Sequence, residues 1–174
     1  VRNAIVGGYL NAISNDASYA FVGGGANNMV LGYNDGDSIF LFSDYSAIVG
    51  GQYNRIHSSP SCFIGGGQRN TIEGTYDWAG CSAIAGGKYN RINTEAGYAF
   101  IGGGWSNVVA GFCSAIGGGW QNNIGFLSSY CTIAGGQMNG AYRNYATVVG
   151  GKGNNAFSDY STVAGGLSNH AGAA

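Results

Sequence analysis

The sequence predicts an all-β fold, a parallel β-solenoid (β-roll) of about ten short coils, and three observations predict it. The phrase Gly-Gly-x-x-Asn occurs ten times, at a spacing of 15 to 26 residues. Self-similarity at a short period marks a solenoid, because a unit this small cannot bury its own core and must stack on its neighbours. Each phrase is preceded by a run of strand formers such as "YSAIV" or "YATVV". Finally, 34 of 174 residues are Gly, and a glycine pair in every unit opposes helix by about 1 kcal/mol per residue.

Within a unit the first strand is the run before the glycines. Two residues ahead of each pair sits Ile5, Val22, Ile48, Ile64, Ile84, Ile101, Ile116, Ile133, Val148 or Val163. Side chains alternate along a strand, so the small residue two places earlier shares that face. Small plus branched suits the narrow inside of a coil. The glycine pair is then a corner, where Gly supplies a positive φ or lets two coils approach. Asn follows at 11, 28, 54, 70, 90, 107, 122, 139, 154 and 169 (Asn11, Asn28, Asn54, Asn70, Asn90, Asn107, Asn122, Asn139, Asn154 and Asn169). An amide both donates and accepts, so stacked Asn can bond the turn and the next coil. The second strand runs through Asn to Ile13, Val30, Ile56 and their counterparts. Coils stacked at strand spacing give a rod of roughly 48 Å.

The outward face of the first strand is apolar too. It carries Tyr19, Tyr45, Tyr98, Tyr130, Tyr145 and Tyr160, with Phe21, Phe63 and Phe100 in alternate early coils. Each Phe has a Gly two residues on, so large and small alternate as interdigitating layers require. A strand apolar on both faces is buried on both, and ten exposed apolar rows exceed the few hundred Å² that monomers tolerate. A closed cyclic homo-oligomer is therefore expected.

Composition narrows the function. Charged residues are 9% of the chain and the net charge is −1, which opposes a phosphate-binding footprint and thus nucleic acid. No apolar run approaches the ~20 residues of a membrane helix, and the start "VRNAIVGG" has no signal-peptide architecture. With 45% hydrophobic and 13% aromatic residues at fixed places, the chain is not a disordered Gly-rich tract. It opens and closes partway through a repeat, which suggests one solenoid domain over 1–174 that is a segment of a longer fibre.

The stretches "YSTVAGGLSNHAG" (160–172) and "YSAIVGGQYNRI" (45–56) resemble the repeats in head domains of trimeric autotransporter adhesins, and related repeats occur in phage and viral fibre proteins. The resemblance covers nearly the whole chain, although the units here are longer and carry a second glycine. It implies a left-handed β-roll, a homotrimer and an extracellular place on a virion fibre or cell-surface appendage.

The tempting chemical motifs read as scaffold. A phosphate-cradling glycine loop needs a following helix, which is not expected. Calcium-binding repeats with Gly-Gly need Asp in each copy, and here the place is Asn. Asp35 and Asp37 in "YNDGDS" form a solvated turn rather than a metal site. Cys62 and Cys131 fall on the inward face and Cys81 and Cys113 one register earlier, so neighbouring-coil pairs diverge too far for disulfide geometry. All four are expected as small apolar fillers. His57 and His170 belong to no nucleophile constellation. Glu73 and Asp77, in one insertion, are candidates for the pair of carboxylates that a glycan-degrading tailspike would need, and a solvated loop is the better reading. No enzyme, cofactor or metal is expected.

Recognition is the better prospect. Insertions at 31–44 and 73–80 project from a rigid scaffold, where function usually sits. Trp105 and Trp120 occupy one slot in adjacent coils, with Tyr53 and Tyr89 one place later in theirs and Trp78 in the second insertion. Arg55, Arg69, Lys88 and Arg91 add a basic stripe. Aromatics beside cations suit a surface glycan or host receptor, against a structural alternative of fibre packing. The expected function is a stiff, non-enzymatic rod displaying loops for attachment. The second reading is a subunit that polymerises end to end into a filament. An ice-binding face has only Thr132, Thr147 and Thr162 to draw on.

Overall fold

Short parallel ladders hold the chain together in three rows. The computed structural model describes residues 2–34, 40, 41, 43–74 and 80–172. Among them are two ten-stranded parallel sheets and no helix. The first sheet runs from Ala4–Ile5 to Thr162–Val163, and the second from Ala12–Ile13 to His170–Ala171. A third row lies between them, one residue per coil, bridging Tyr9 to Ala26 and onward to Leu167. The fold is thus an all-β parallel solenoid of about nine turns, with the third row an addition to the two strands expected per unit.

The strands are two or three residues long because corners follow at once. The second glycine of each pair has φ between 84° and 99°. Two columns of non-glycine residues also take left-handed conformations. Tyr19, Tyr45, Ser61, Cys81, Tyr98, Cys113, Tyr130, Tyr145 and Tyr160 lie at φ 50–60° just before the first sheet. Leu10, Asn27, Tyr53, Arg69, Tyr89, Ser106, Gln121, Met138 and Ser168 lie at φ 52–57° just before the Asn. Each such residue is strained by roughly 1–2 kcal/mol, and Gly153 fills the second column once, at φ 66°. Gln121→Gly is therefore expected to stabilise the fold by up to about 1 kcal/mol. A raised thermal midpoint checks it, and an unchanged or lowered one shows that strain is absent there.

These corners reverse the direction of hydrogen bonding. Most backbone N–H groups donate to the following coil, as Trp105 N does to Gly119 O (2.9 Å). The left-handed residue donates backwards instead, as Gln121 N does to Trp105 O (2.9 Å). The N–H of the next residue, the Asn, also faces the preceding coil, where the acceptor is the previous Asn side chain: Asn122 N donates to Asn107 Oδ1 at 3.0 Å.

Inside, Ile48, Ile64, Ile84, Ile101, Ile116 and Ile133 stack in register with Ile56, Ile72, Ile92 and Ile124 opposite, all fully buried. The core thins toward the last coils, where Ala141 and Ala156 replace Ile. The small inward column holds buried hydroxyls in alternate coils. Ser46 Oγ donates to Ser59 O and accepts from Cys62 N, and Ser82 and Ser114 repeat the pattern with Ala99 N and Cys131 N. A buried hydroxyl satisfied twice carries no desolvation penalty. The first insertion begins and ends in a two-stranded antiparallel ladder, Tyr33–Asn34 against Phe40–Leu41.

The alternation of Phe and Gly has a cause within one chain. A Cβ built on Gly23, Gly65 or Gly102 would lie 2.2 or 2.3 Å from the next coil's carbonyl oxygen and 3.1–3.4 Å from the ring of Phe21, Phe63 or Phe100. The glycine lets the coils close, and the ring covers the bare backbone.

Candidate functional site

The geometry offers three surface features: the Asn ladder at one corner, the aromatic and basic groups beside it, and the outer face of the first sheet. In the ladder from Asn11 to Asn154, each Nδ2 donates to the carbonyl of its own first glycine and to that of the next coil's second glycine. For Asn54 these are Gly50 O and Gly67 O, both at 3.0 Å. Asn28, Asn54, Asn70, Asn90, Asn107, Asn122, Asn139 and Asn154 are buried. Asn11 and Asn169, at the two ends, are more open. A group so fully committed to its own backbone has nothing left for a ligand.

Beside the ladder, Trp105 and Trp120 stack with centroids 5.4 Å apart and planes 28° apart, each a little over one third exposed. Arg69 is held between Tyr53 and Tyr89, its guanidinium 5.4 and 5.5 Å from the two ring centres and 3.1 Å from the Tyr89 hydroxyl. Lys88 lies 5.2 Å from the Tyr89 ring centre. A sugar binds an aromatic by its face, and here one face of each Trp is taken by the other Trp, while Tyr53 and Tyr89 each have a cation over the ring.

Arg91 forms an ion pair with Glu73, so that carboxylate is already engaged. Asp77, Trp78, Asp35 and Asp37 lie outside the described residues. Arg55 sits two strands from Arg91, with Thr71 between them, and its Nε is buried without a partner. His57 pairs in register with Glu73. Burial and Arg55 hold its imidazole below the usual range, with Glu73 opposing them.

The outer face of the first sheet is open. Tyr19, Tyr45, Tyr98, Tyr130, Tyr145 and Tyr160 are 45–74% exposed, and Phe21, Phe63 and Phe100 are 37–45% exposed. The tyrosines form ladders. Tyr130, Tyr145 and Tyr160 stack at 5.0 and 4.8 Å, within 7° of parallel, and Tyr19 stacks on Tyr45 at 5.1 Å. Where Cys113 interrupts the column, Phe112 bridges Tyr98 and Tyr130 edge-on. That bridge was not legible, because Phe112 falls one place out of the repeat. A further ladder joins Tyr142 and Phe157, which directly follow strands of the second sheet, to His170 in its last strand, and the Tyr142 ring takes the space beside Gly140. Thr132, Thr147 and Thr162 pair in register.

The cysteines divide. Cys62 and Cys131 are buried as fillers, but Cys81 is exposed and Cys113 half-exposed, because both occupy the left-handed corner column rather than a core position. Burial pushes the Cys62 thiol up to about 12. Its proton is therefore retained by the folded state at pH values where the unfolded chain has lost it. Stability from this group is complete below the unfolded value near 9 and declines as pH rises toward 12, by at most about 1.4 kcal/mol per pH unit. Denaturant midpoints from pH 8 to 11 are expected to fall more steeply for the native sequence than for Cys62→Ala. Parallel curves would overturn that assignment.

Among the described residues no group of three His, Cys, Asp or Glu is placed to hold a metal ion, and no helix is long and apolar enough to cross a membrane. No protein-family model matches the chain, and no curated protein shows significant similarity to it.

Proposed function

We propose that this chain is a structural, non-enzymatic segment of an extracellular homotrimeric fibre or adhesin, a stiff left-handed rod that displays its insertions for attachment. The observation that carries the reading is the exposed Tyr/Phe face along a solenoid whose interior is already filled by Ile. Nine aromatics about half exposed, at 150–250 Å² each, present roughly 700–1,100 Å². That matches the ~800 Å² per partner of a standard interface and exceeds the usual largest patch on a monomer. Rigidity comes from three unbroken ladder rows and the Asn column. No residue has a catalytic role in this reading. Attachment belongs to the insertions and to the Arg55–Arg91 region rather than to the stacked Trp pair.

Light scattering after size exclusion, with negative-stain images of the same fraction, tests it. A stable three-chain rod about 50 Å long is expected. Long polymers would favour the end-to-end filament, and a well-behaved single chain would overturn the assignment of the aromatic face.

A further inference from the structure

In six of the ten pairs the first glycine is unexplained by its own chain. Gly7, Gly86 and Gly150 have nothing within 4 Å of an ideal Cβ, and Gly50, Gly118 and Gly135 have only a carbonyl oxygen of the preceding coil at 3.8–4.0 Å. None of these six has φ in the left-handed region, whereas Gly24, Gly66, Gly103 and Gly165 lie at 149–156°. A side chain at the six would neither clash nor strain. Their N–H groups also have no hydrogen-bond acceptor among the described residues. The result is a lane of bare backbone with an unused donor in each of those six coils. It follows directly on the exposed residues Val6, Val49 and Val149 at one edge of the apolar face, and the tyrosine column stands at the other edge.

We infer that this lane is closed by the tyrosine ladder of a second copy of the chain, with phenol oxygens accepting from the glycine N–H groups. The inference rests on the oligomeric reading above and specifies how the copies meet. Commensurate spacing selects the occupant. Donors repeating once per coil need acceptors with the same repeat, and the tyrosines supply it at 4.8–5.1 Å over the stretches Tyr19–Tyr45 and Tyr130–Tyr145–Tyr160, while Ser61, Cys81 and Cys113 interrupt the column. Charge agrees, because the tyrosine column and the two outward columns of the first sheet contain no Lys, Asp or Glu and only one Arg, Arg2 in the first coil, so an anionic ligand finds no counter-charge beyond that coil. Topology agrees as well. One edge of the face meeting the other edge of a neighbour is a heterologous contact, and such contacts form a ring where the rotation between copies closes. Any side chain on the lane would hold the ladder away.

Hydrogen exchange resolved at single amides of the native sequence tests this without a variant that has to fold. The amides of Gly50, Gly135 and Gly150, whose coils carry Tyr45, Tyr130 and Tyr145, are expected to exchange about two orders of magnitude more slowly than in an unstructured peptide, although nothing in their own chain bonds them. A second measurement uses Gly135→Leu with Gly150→Leu. Light scattering is expected to report a single chain whose far-UV spectrum is unchanged. An oligomeric native protein with unprotected lane amides, or a double variant that keeps the native mass, would overturn the lane while leaving the aromatic interface standing. A native protein that runs as one chain would overturn both.

Discussion

Gly119→Ala is expected to destroy the stack around its coil, while Gly118→Ala, one residue earlier in the same pair, leaves the fold of the chain within about 0.5 kcal/mol of native. The difference is geometric. At Gly119, φ is +94°, and an added Cβ would sit 2.2 Å from Gly136 O, 2.7 Å from Asn122 Nδ2 and 2.9 Å from Gly136 N. Two of these are backbone atoms of the next coil, so the clash is relieved only by separating the coils. Separation breaks the bonds that Trp120 N and Asn122 Nδ2 donate to Gly136 O, at 2.9 and 3.0 Å. Left-handed strain, lost hydrogen bonds and a void in the Ile stack all add, so a loss above about 4 kcal/mol is expected. At Gly118 the nearest atom to the added methyl is Gly103 O at 3.9 Å. Thermal unfolding followed by circular dichroism separates the two. Similar midpoints would mean that coil-to-coil approach is not what the second glycine provides.

That asymmetry also shows what the sequence could and could not disclose. The solenoid was legible because the Gly-Gly-x-x-Asn phrase and the Ile two places before it recur without exception, and a repeat so short leaves stacking as the only way to bury Ile. Which glycine does what was not legible, since both are invariant in the ten copies and only the φ values and coil spacing distinguish them. The left-handed corners were hidden for a different reason. Tyr, Arg, Met and Leu have no preference for positive φ, so residues such as Tyr145 and Met138 signal their burial partners and not their backbone. The same limit explains the cysteines. Cys81 and Cys62 share a residue type, yet one occupies a corner and the other the core. At the candidate recognition surface, the shared slot placed Trp105 beside Trp120, as the structure has them, whereas the seat of Arg69 between Tyr53 and Tyr89 was not read from the sequence. The slot carried no information on ring orientation, which decides whether a face or an edge meets solvent.

Asn107→Asp is expected to be more damaging at neutral pH than Asn107→Ala, and its damage should lessen in acid. Asn107 is fully buried. Its Nδ2 donates to Gly103 O at 2.9 Å, Gly119 O at 3.0 Å and Asn90 Oδ1 at 3.1 Å. Its Oδ1 accepts from Asn122 N at 3.0 Å and Asn122 Nδ2 at 3.1 Å. Alanine leaves these partners unsatisfied in a dry corner, for a loss of about 3–5 kcal/mol that does not vary with pH. Aspartate keeps the shape but turns the donor into an oxygen facing three acceptors, and an ionised carboxylate there has no counter-charge. The folded state therefore holds the acid protonated, with its pKa above the ordinary value near 3.9. The unfolded chain releases that proton first, so stability is greatest below about pH 4 and falls as pH rises through the folded value. Denaturant midpoints for both variants at pH 3 and pH 7 check this. The aspartate variant should gain on the alanine variant in acid, and equal behaviour at both values would mean that the amide donor is not what the corner requires. Asn169→Asp provides the internal contrast, since Asn169 is exposed and no group among the described residues donates to its Oδ1. The same substitution there is expected to have much the smaller effect, because water can solvate the charge that the central coils exclude.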